Sequence, residues 1–161
     1  MNKAYLLIGS NEGNRLQHLA NARDLVQQKA GDVNDFSLIY ETAAWGRLDQ
    51  PDFLNQVLTV TTRLTAHSCL HEILAIENAM GRIRRKKNDP RIIDIDILFF
   101  NDEIINDNNL VVPHPEIQNR RFALVPMNEL SPGMMHPVLN RTIASLLSTC
   151  TDQLQVSVFS K

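Results

Sequence analysis

Two aspartates, Asp94 and Asp96, stand one residue apart in the apolar run Ile92-Ile93-Asp94-Ile95-Asp96-Ile97-Leu98-Phe99-Phe100. Side chains alternate faces along a strand, so both carboxylates share one face, with Cα atoms roughly 6.6 Å apart. Ile93, Ile95, Ile97 and Phe99 then take the opposite, core-facing side. Two acids on an apolar strand are costly unless something cationic compensates them. Mg²⁺ is the natural candidate, because hard cations choose carboxylate oxygens and leave positions open for substrate phosphates. Immediately upstream, six of the sixteen Lys and Arg residues fall between Arg82 and Arg91. A guanidinium fork matches phosphate oxygens. Each feature alone has an ordinary explanation: a wet sheet face for the acids, a solvated loop for the basic run. Together each supplies what the other needs, and the pair reads as a nucleotide-phosphate site.

The elements that must position this pair follow from periodicity and breakers. Lys3 to Ile8 reads as a buried strand ending in Gly9-Ser10-Asn11, a turn and helix-start signal. A helix from about Asn14 to Ala30 carries Leu16, Leu19, Ala22 and Val26 on one stripe, with Gly31 closing it. Val33 to Thr42 reads as a second strand, Ala43 to Asp52 as a loop, and Asn55 to Leu64 as a third strand. Thr65 fits as N-cap of a helix from Ala66 to Met80, stopped by Gly81. The basic loop and the aspartate strand come next. The order βαββαβ is the ferredoxin-like signature, so the expected class is α+β, an antiparallel sheet with extra C-terminal elements. Its two helices are expected on one face, leaving the other for ligand. Beyond Phe100 the pattern predicts a short strand at Ile104-Ile105, helices over Arg121–Met127 and Thr142–Ser148, and a last strand over Gln155–Phe159.

At 161 residues the chain is expected to form a single domain with a proper core. Apolar residues at 43% and charged residues at 21% fit an ordinary globular protein. A net charge of −2 gives no global field to recruit nucleic acid. Cys69 and Cys150 lack CxxC spacing, which argues against a metal or disulfide framework and fits a reducing cytoplasm. The apolar run Ala4 to Ile8 is too short for a signal peptide or a membrane span.

Several other residues stand outside the periodic pattern. Glu77 falls on or beside the buried stripe of its helix and approaches the basic loop; it fits an acid paired with an arginine as well as a ligand contact. Asn55 opens a strand, where Asn is an ordinary turn residue; its amide can also donate and accept toward a heterocycle edge. Trp45 and Phe122 fit satellite-core residues or platforms for a flat ligand. His114, between two prolines, suits a structural hydrogen bond or a phosphate contact. Gly9-Ser10-Asn11-Glu12-Gly13 lacks the lysine of a phosphate loop and reads as turn chemistry.

With these pieces in place, the chain closely resembles the 6-hydroxymethyl-7,8-dihydropterin pyrophosphokinases of folate biosynthesis over roughly residues 4 to 137. The resemblance rests on Leu7 to Asn14, Ile39 to Thr42, Gly46 with Asp49 to Asn55, and Ile76-Glu77 with Gly81-Arg82. It continues through Pro90 to Leu98, Val112 to Pro115 and Asn119 to Phe122. It implies a ferredoxin-like fold and transfer of pyrophosphate from ATP to the pterin hydroxymethyl group, releasing AMP. By the same resemblance Asp94 and Asp96 hold two Mg²⁺ ions, and Arg82 and Arg91 stabilise the transferring group. Asn55 reads the pterin edge, helped by groups from Thr42, Ala43, Trp45 and Gly46. Phe53 belongs to the pterin side, and Phe122 stacks on the ring. Glu77, Arg84, His114 and Arg120 match ATP-side contacts, with Ile97 and Leu110 beside the adenine. The implied partners are ATP and a reduced pterin, with no nucleic acid and no membrane, and the chain is expected to act as a cytoplasmic monomer.

The chain departs from that pattern at one important point. The family usually carries Trp-Gly just before Pro-Arg, and that Trp closes over the pterin. Here the place reads Lys87-Asn88-Asp89-Pro90-Arg91, about one residue shorter and without an aromatic. Trp45, where an aliphatic residue is usual, is the replacement ring this suggests. Pro115 also stands where an aromatic is frequent. Two rival readings remain at this point: a ferredoxin-like binding module without catalysis, and a relative that binds nucleotide but has lost activity. The strands carry Val, Thr, Ile and Asp rather than the exposed aromatics of RNA-recognition sheets, which counts against the first.

Overall fold

The structure is a computed structural model that describes residues 1–43, 49–82 and 90–160. The chain begins with β1 (Asn2–Ser10), whose apolar run is buried from Ala4 onward because it becomes an interior strand. Helix α1 (Arg15–Lys29) starts where the Asn14 side chain accepts from Gln17 N at 3.1 Å, and it buries Leu19, Ala22 and Val26. The next elements are β2 (Asp32–Phe36), β3 (Tyr40–Thr42), β4 (Phe53–Thr62) and α2 (Ala66–Ala79), the last capped by Thr65. After them come β5 (Asp94–Phe100), the small hairpin β6 (Ile105–Asn106) and β7 (Val111–Val112), and a 3-10 turn at Ile117–Asn119. The C-terminal part holds α3 (Arg121–Leu130), α4 (Ile143–Ser148) and β8 (Val156–Val158). No helix among the described residues is long and apolar enough to cross a membrane.

The main sheet runs β5-β1-β4-β3-β8, antiparallel throughout, with β2 also paired to β4. This is the ferredoxin-like order that the sequence predicts, with β8 added at one edge. One core layer packs β1, β4 and β5 against α1 and α2. A second layer packs Tyr5, Leu7, Val57, Leu98 and Phe99 against α3 and α4. The face expected to stay open for ligand is therefore half covered: α3 and α4 close it around Tyr5 and Phe99, and the Gly9 end remains.

Two strand expectations change. The run Val33–Thr42 is two strands, because Phe36 pairs with Leu58 but Tyr40 pairs with Asn55, one residue more on this side than on β4. Buried Ser37 spans the break: its N–H donates to Val57 O at 2.9 Å, and its hydroxyl accepts from Val57 N at 3.0 Å. Phe99 lies with α3 and α4 rather than beside Ile93, Ile95 and Ile97. Tyr5 pairs with Phe99 but Leu6 with Ile97, so Leu98 is an extra residue and the alternation reverses there.

Candidate active site

Three strands meet in register at the open end of the second layer. Gly9 of β1 pairs with Asn55 of β4 on one side and with Asp94 of β5 on the other. One row across the sheet thus carries an acid, a glycine and an amide, and the next row brings Leu7 beside Asp96. A cleft of about 620 Å³, part of it open to solvent, lies over these rows. Leu7, Gly9, Asp94, Asp96 and Asn55 line it from the sheet, Thr42, Ala43 and Phe53 from the pterin-side segments of the sequence reading, and Arg91, Arg120 and Phe122 complete it. Each of the two aromatic rings carries an arginine: Arg91 stands 5.7 Å from the Phe53 ring centre and Arg120 5.8 Å from that of Phe122. The Thr42 hydroxyl is buried in this region with no hydrogen-bond partner among the described residues.

Gly9 is demanded by this packing. A Cβ there would collide with Asn55 Oδ1. Gly9→Ala is expected to displace the Asn55 amide and weaken binding of a flat heterocycle by about tenfold or more, the scale of one lost buried hydrogen bond. Titration of the variant with such a ligand checks this, and unchanged affinity would rule it out.

Arginines bracket the first acid. Arg82 Nη1 donates to Asp94 Oδ1 at 2.5 Å and to Glu77 Oε2 at 2.9 Å, and Arg91 Nη1 donates to Asp94 Oδ2 at 3.0 Å. Glu77, only 2% exposed, also accepts from Ile95 N at 2.8 Å, so it ties α2 to β5. Burial works against the charge of Arg82, but Asp94 and Glu77 outweigh it and hold the guanidinium more firmly charged than usual. Asp96 is the opposite case. Burial, then the neighbouring Asp94 carboxylate, push its carboxyl well above the ordinary range, and the more distant Arg120 and Arg82 only partly offset this. Among the described residues no cation forms an ion pair with Asp96. Two hard carboxylates on one strand face, one of them poorly compensated, fit a divalent oxygen-seeking cation.

His114 is pushed down to about 4, first by burial and then by Arg120. Its Nδ1 accepts from Glu116 N at 3.1 Å, and its backbone N–H donates to Leu98 O at 2.9 Å. The folded chain therefore refuses a proton that the unfolded chain takes up below about pH 6.5. Stability from this group is present above that pH and is lost as the pH falls toward 4, on the order of 2 kcal/mol by pH 4.5. Denaturant titrations of wild type and His114→Gln across pH 4.5 to 7 check this. The variant should show the shallower loss, and parallel curves would contradict it.

Of the residues singled out from the sequence, Thr42, Ala43, Phe53, Asn55, Arg91, Asp94, Asp96, Arg120 and Phe122 converge on the cleft. Arg82 reaches it through Asp94, and Glu77 reaches Arg82. Ile97 and Leu110 are buried in the first core layer, and His114, tied to Leu98 through its backbone, lies close enough to feel the charges of Arg120 and Asp94. Trp45, Gly46 and Arg84 lie outside the described residues. Leu7 and Gly9 also line the cleft, and Asn11 bonds to Gln50, Pro51 and Arg91, three residues whose roles their own types do not announce. The available signal was a Gly-Ser-Asn run at the end of a buried strand, read only as a turn.

Comparison with known proteins gives the family. The family model for 7,8-dihydro-6-hydroxymethylpterin-pyrophosphokinase (HPPK) matches residues 5–132. The 2-amino-4-hydroxy-6-hydroxymethyldihydropteridine pyrophosphokinase of Aquifex aeolicus is 37% identical over 143 residues, 89% of each chain. The folic acid synthesis protein fol1 of Pneumocystis carinii is 36% identical over 92% of this chain, which spans only 20% of that longer protein. The crystal structure of Plasmodium falciparum HPPK-DHPS shares the fold, with a TM-score of 0.77 at 23% identity over 92% of this chain and 43% of that one. A family match across most of the sheet and cleft, together with a relative of similar length, establishes that this chain belongs to the 7,8-dihydro-6-hydroxymethylpterin-pyrophosphokinase family.

Proposed function

We propose that this chain, with residues 1–161 as a single pyrophosphokinase domain, transfers the pyrophosphoryl group of ATP to the hydroxymethyl oxygen of 6-hydroxymethyl-7,8-dihydropterin. The observation that carries this reading is the row Asp94, Gly9, Asn55, which puts a phosphate-type acid end and a heterocycle-reading amide in one cleft. The Phe53 and Phe122 rings offer apolar area to a flat pterin, and the Asn55 amide donates and accepts at its edge. The buried Thr42 hydroxyl, without a partner among the described residues, adds one more polar group. In the reaction the pterin hydroxyl oxygen forms a bond to the β-phosphorus and gives up its proton to solvent, the bond from that phosphorus to the bridging α-phosphate oxygen breaks, and AMP leaves with that oxygen.

Among the described residues no side chain is arranged as a general base for the pterin hydroxyl, so positioning and charge stabilisation carry the acceleration. Arg82 and Arg91 serve the transferring group, and Glu77 acts through Arg82 by holding its guanidinium. Arg120 and His114 serve the nucleotide side, with Arg84 from the basic loop and the apolar pair Ile97 and Leu110. Asp94 and Asp96 would hold Mg²⁺, which when bound neutralises the charge of the triphosphate.

Incubation with ATP, Mg²⁺ and the pterin, with AMP resolved from ADP, tests the proposal. Pterin-dependent AMP supports it. ADP in its place would mean transfer of a single phosphoryl group, and nucleotide binding without turnover would favour an inactive relative.

A further inference from the structure

The cleft is flanked by two segments, residues 49–53 and 90–94, that share no strand pairing with each other. Both are fastened to one side chain. Asn11 follows β1 and is 0% exposed. Its Nδ2 donates to Gln50 Oε1 at 3.0 Å and to Pro51 O at 3.2 Å. Its Oδ1 accepts from Arg91 N at 2.9 Å, and its own N–H donates to Arg91 O at 3.2 Å. The amide orientation is dictated by its partners, because a backbone N–H only donates and a backbone carbonyl only accepts. Two residues beyond Pro51 stands Phe53, and the Arg91 guanidinium lies over that ring while it grips Asp94.

We infer that Asn11 is a positioning residue that sets the relation between the Phe53-bearing and Arg91-bearing segments, and through them between ring binding and group transfer. The inference rests on the proposed pyrophosphoryl transfer. Its chemistry is specific to an amide at this chain length. Aspartate keeps the acceptor for Arg91 N but turns an anionic oxygen toward the Pro51 carbonyl, and alanine removes both side-chain ties, leaving only the backbone bond to Arg91 O. A general stabiliser would act differently, because its loss would loosen the whole sheet.

The experiment combines kinetics and backbone amide exchange on Asn11→Asp and Asn11→Ala. For Asn11→Asp, KM for the pterin should rise about tenfold with kcat within about twofold, because one tie is lost and the other kept. For Asn11→Ala, kcat should also fall about tenfold, and the Arg91 amide should exchange about tenfold faster while those of Leu6 and Ile8 hold. An unchanged Arg91 amide, kinetic constants within twofold in both variants, or equal acceleration of exchange throughout β1 would each overturn the inference. If the alanine variant does not fold, the aspartate variant decides through its split between KM and kcat. Absence of AMP from the wild-type chain would sink the functional reading instead, and the exchange measurement would still test the coupling.

Discussion

Asp96→Asn is expected to lower pterin-dependent AMP formation by at least about 10³-fold and, at the same time, to raise the unfolding temperature. The rate loss follows from the charge that ATP brings. On the proposed function, a triphosphate held beside these half-buried carboxylates would need a divalent cation to offset the combined charge, and an amide is a far poorer ligand for a hard ion. Loss of several kcal/mol of charge stabilisation at the reacting phosphate is a factor of about 10³ or more. The stability gain follows from the protein alone. Burial and Asp94 both disfavour the Asp96 carboxylate, and the neutral amide removes the like-charge neighbour without changing volume. A relief of about 1 kcal/mol is worth about 2–4 °C for a chain of this size. Rates and calorimetry on the same preparation check both halves. A variant within tenfold of wild-type rate would remove Asp96 from the reaction, and a lowered unfolding temperature would contradict its electrostatics.

Arg82→Ala is expected to reduce kcat by about 10²–10³-fold with much less effect on KM for ATP, the pattern of a group whose interaction strengthens in the transition state. It should also destabilise the fold by roughly 1.5–3 kcal/mol, the scale of a charge-assisted hydrogen bond. Arg82 shares one guanidinium nitrogen between Glu77 and Asp94 and its side chain is 13% exposed, so its removal takes the common cation from two acids. Arg82→Lys separates the two effects. An ammonium keeps the charge and part of the stability but cannot present a planar fork, so kcat should stay low while the unfolding temperature partly recovers. If kcat stays within threefold of wild type in Arg82→Ala while stability falls, Arg82 is a strut between α2 and β5 and nothing more.

How far the sequence discloses this molecule depends on the distance between cause and effect along the chain. Asp94 and Asp96 are legible because two residues of one strand share a face whatever lies beside them. Helices α1 and α2 are legible for the same reason: their stripes and caps are local. Leu98 is not, because an extra residue in a strand is defined only against its partner, here the step from Tyr5 to Leu6 more than ninety positions away. Ser37 hides in the same way, since the break it spans exists only relative to β4. Helices α3 and α4 were readable as helices, but nothing in their own periodicity says that they cover half of the face expected to be open. Gly9 and Asn11 look like turn residues because their work is done on Asn55, Gln50, Pro51 and Arg91, none of them near in sequence.

The row that joins Asp94, Gly9 and Asn55 has a consequence for how this site can change. Its acid and amide ends are separated by two strand spacings, about 10 Å, and that interval is set by backbone hydrogen bonds. No side-chain replacement in the core alters it. A slip of β1 by one residue would turn Ser10 or Ile8 into the row and reverse the faces, which is a different fold rather than a wider site. The reach between the acid and the amide is therefore quantised. Core mutations should erode thermal stability without altering which length of substrate is accepted, and a shift in that length would require rebuilding the sheet.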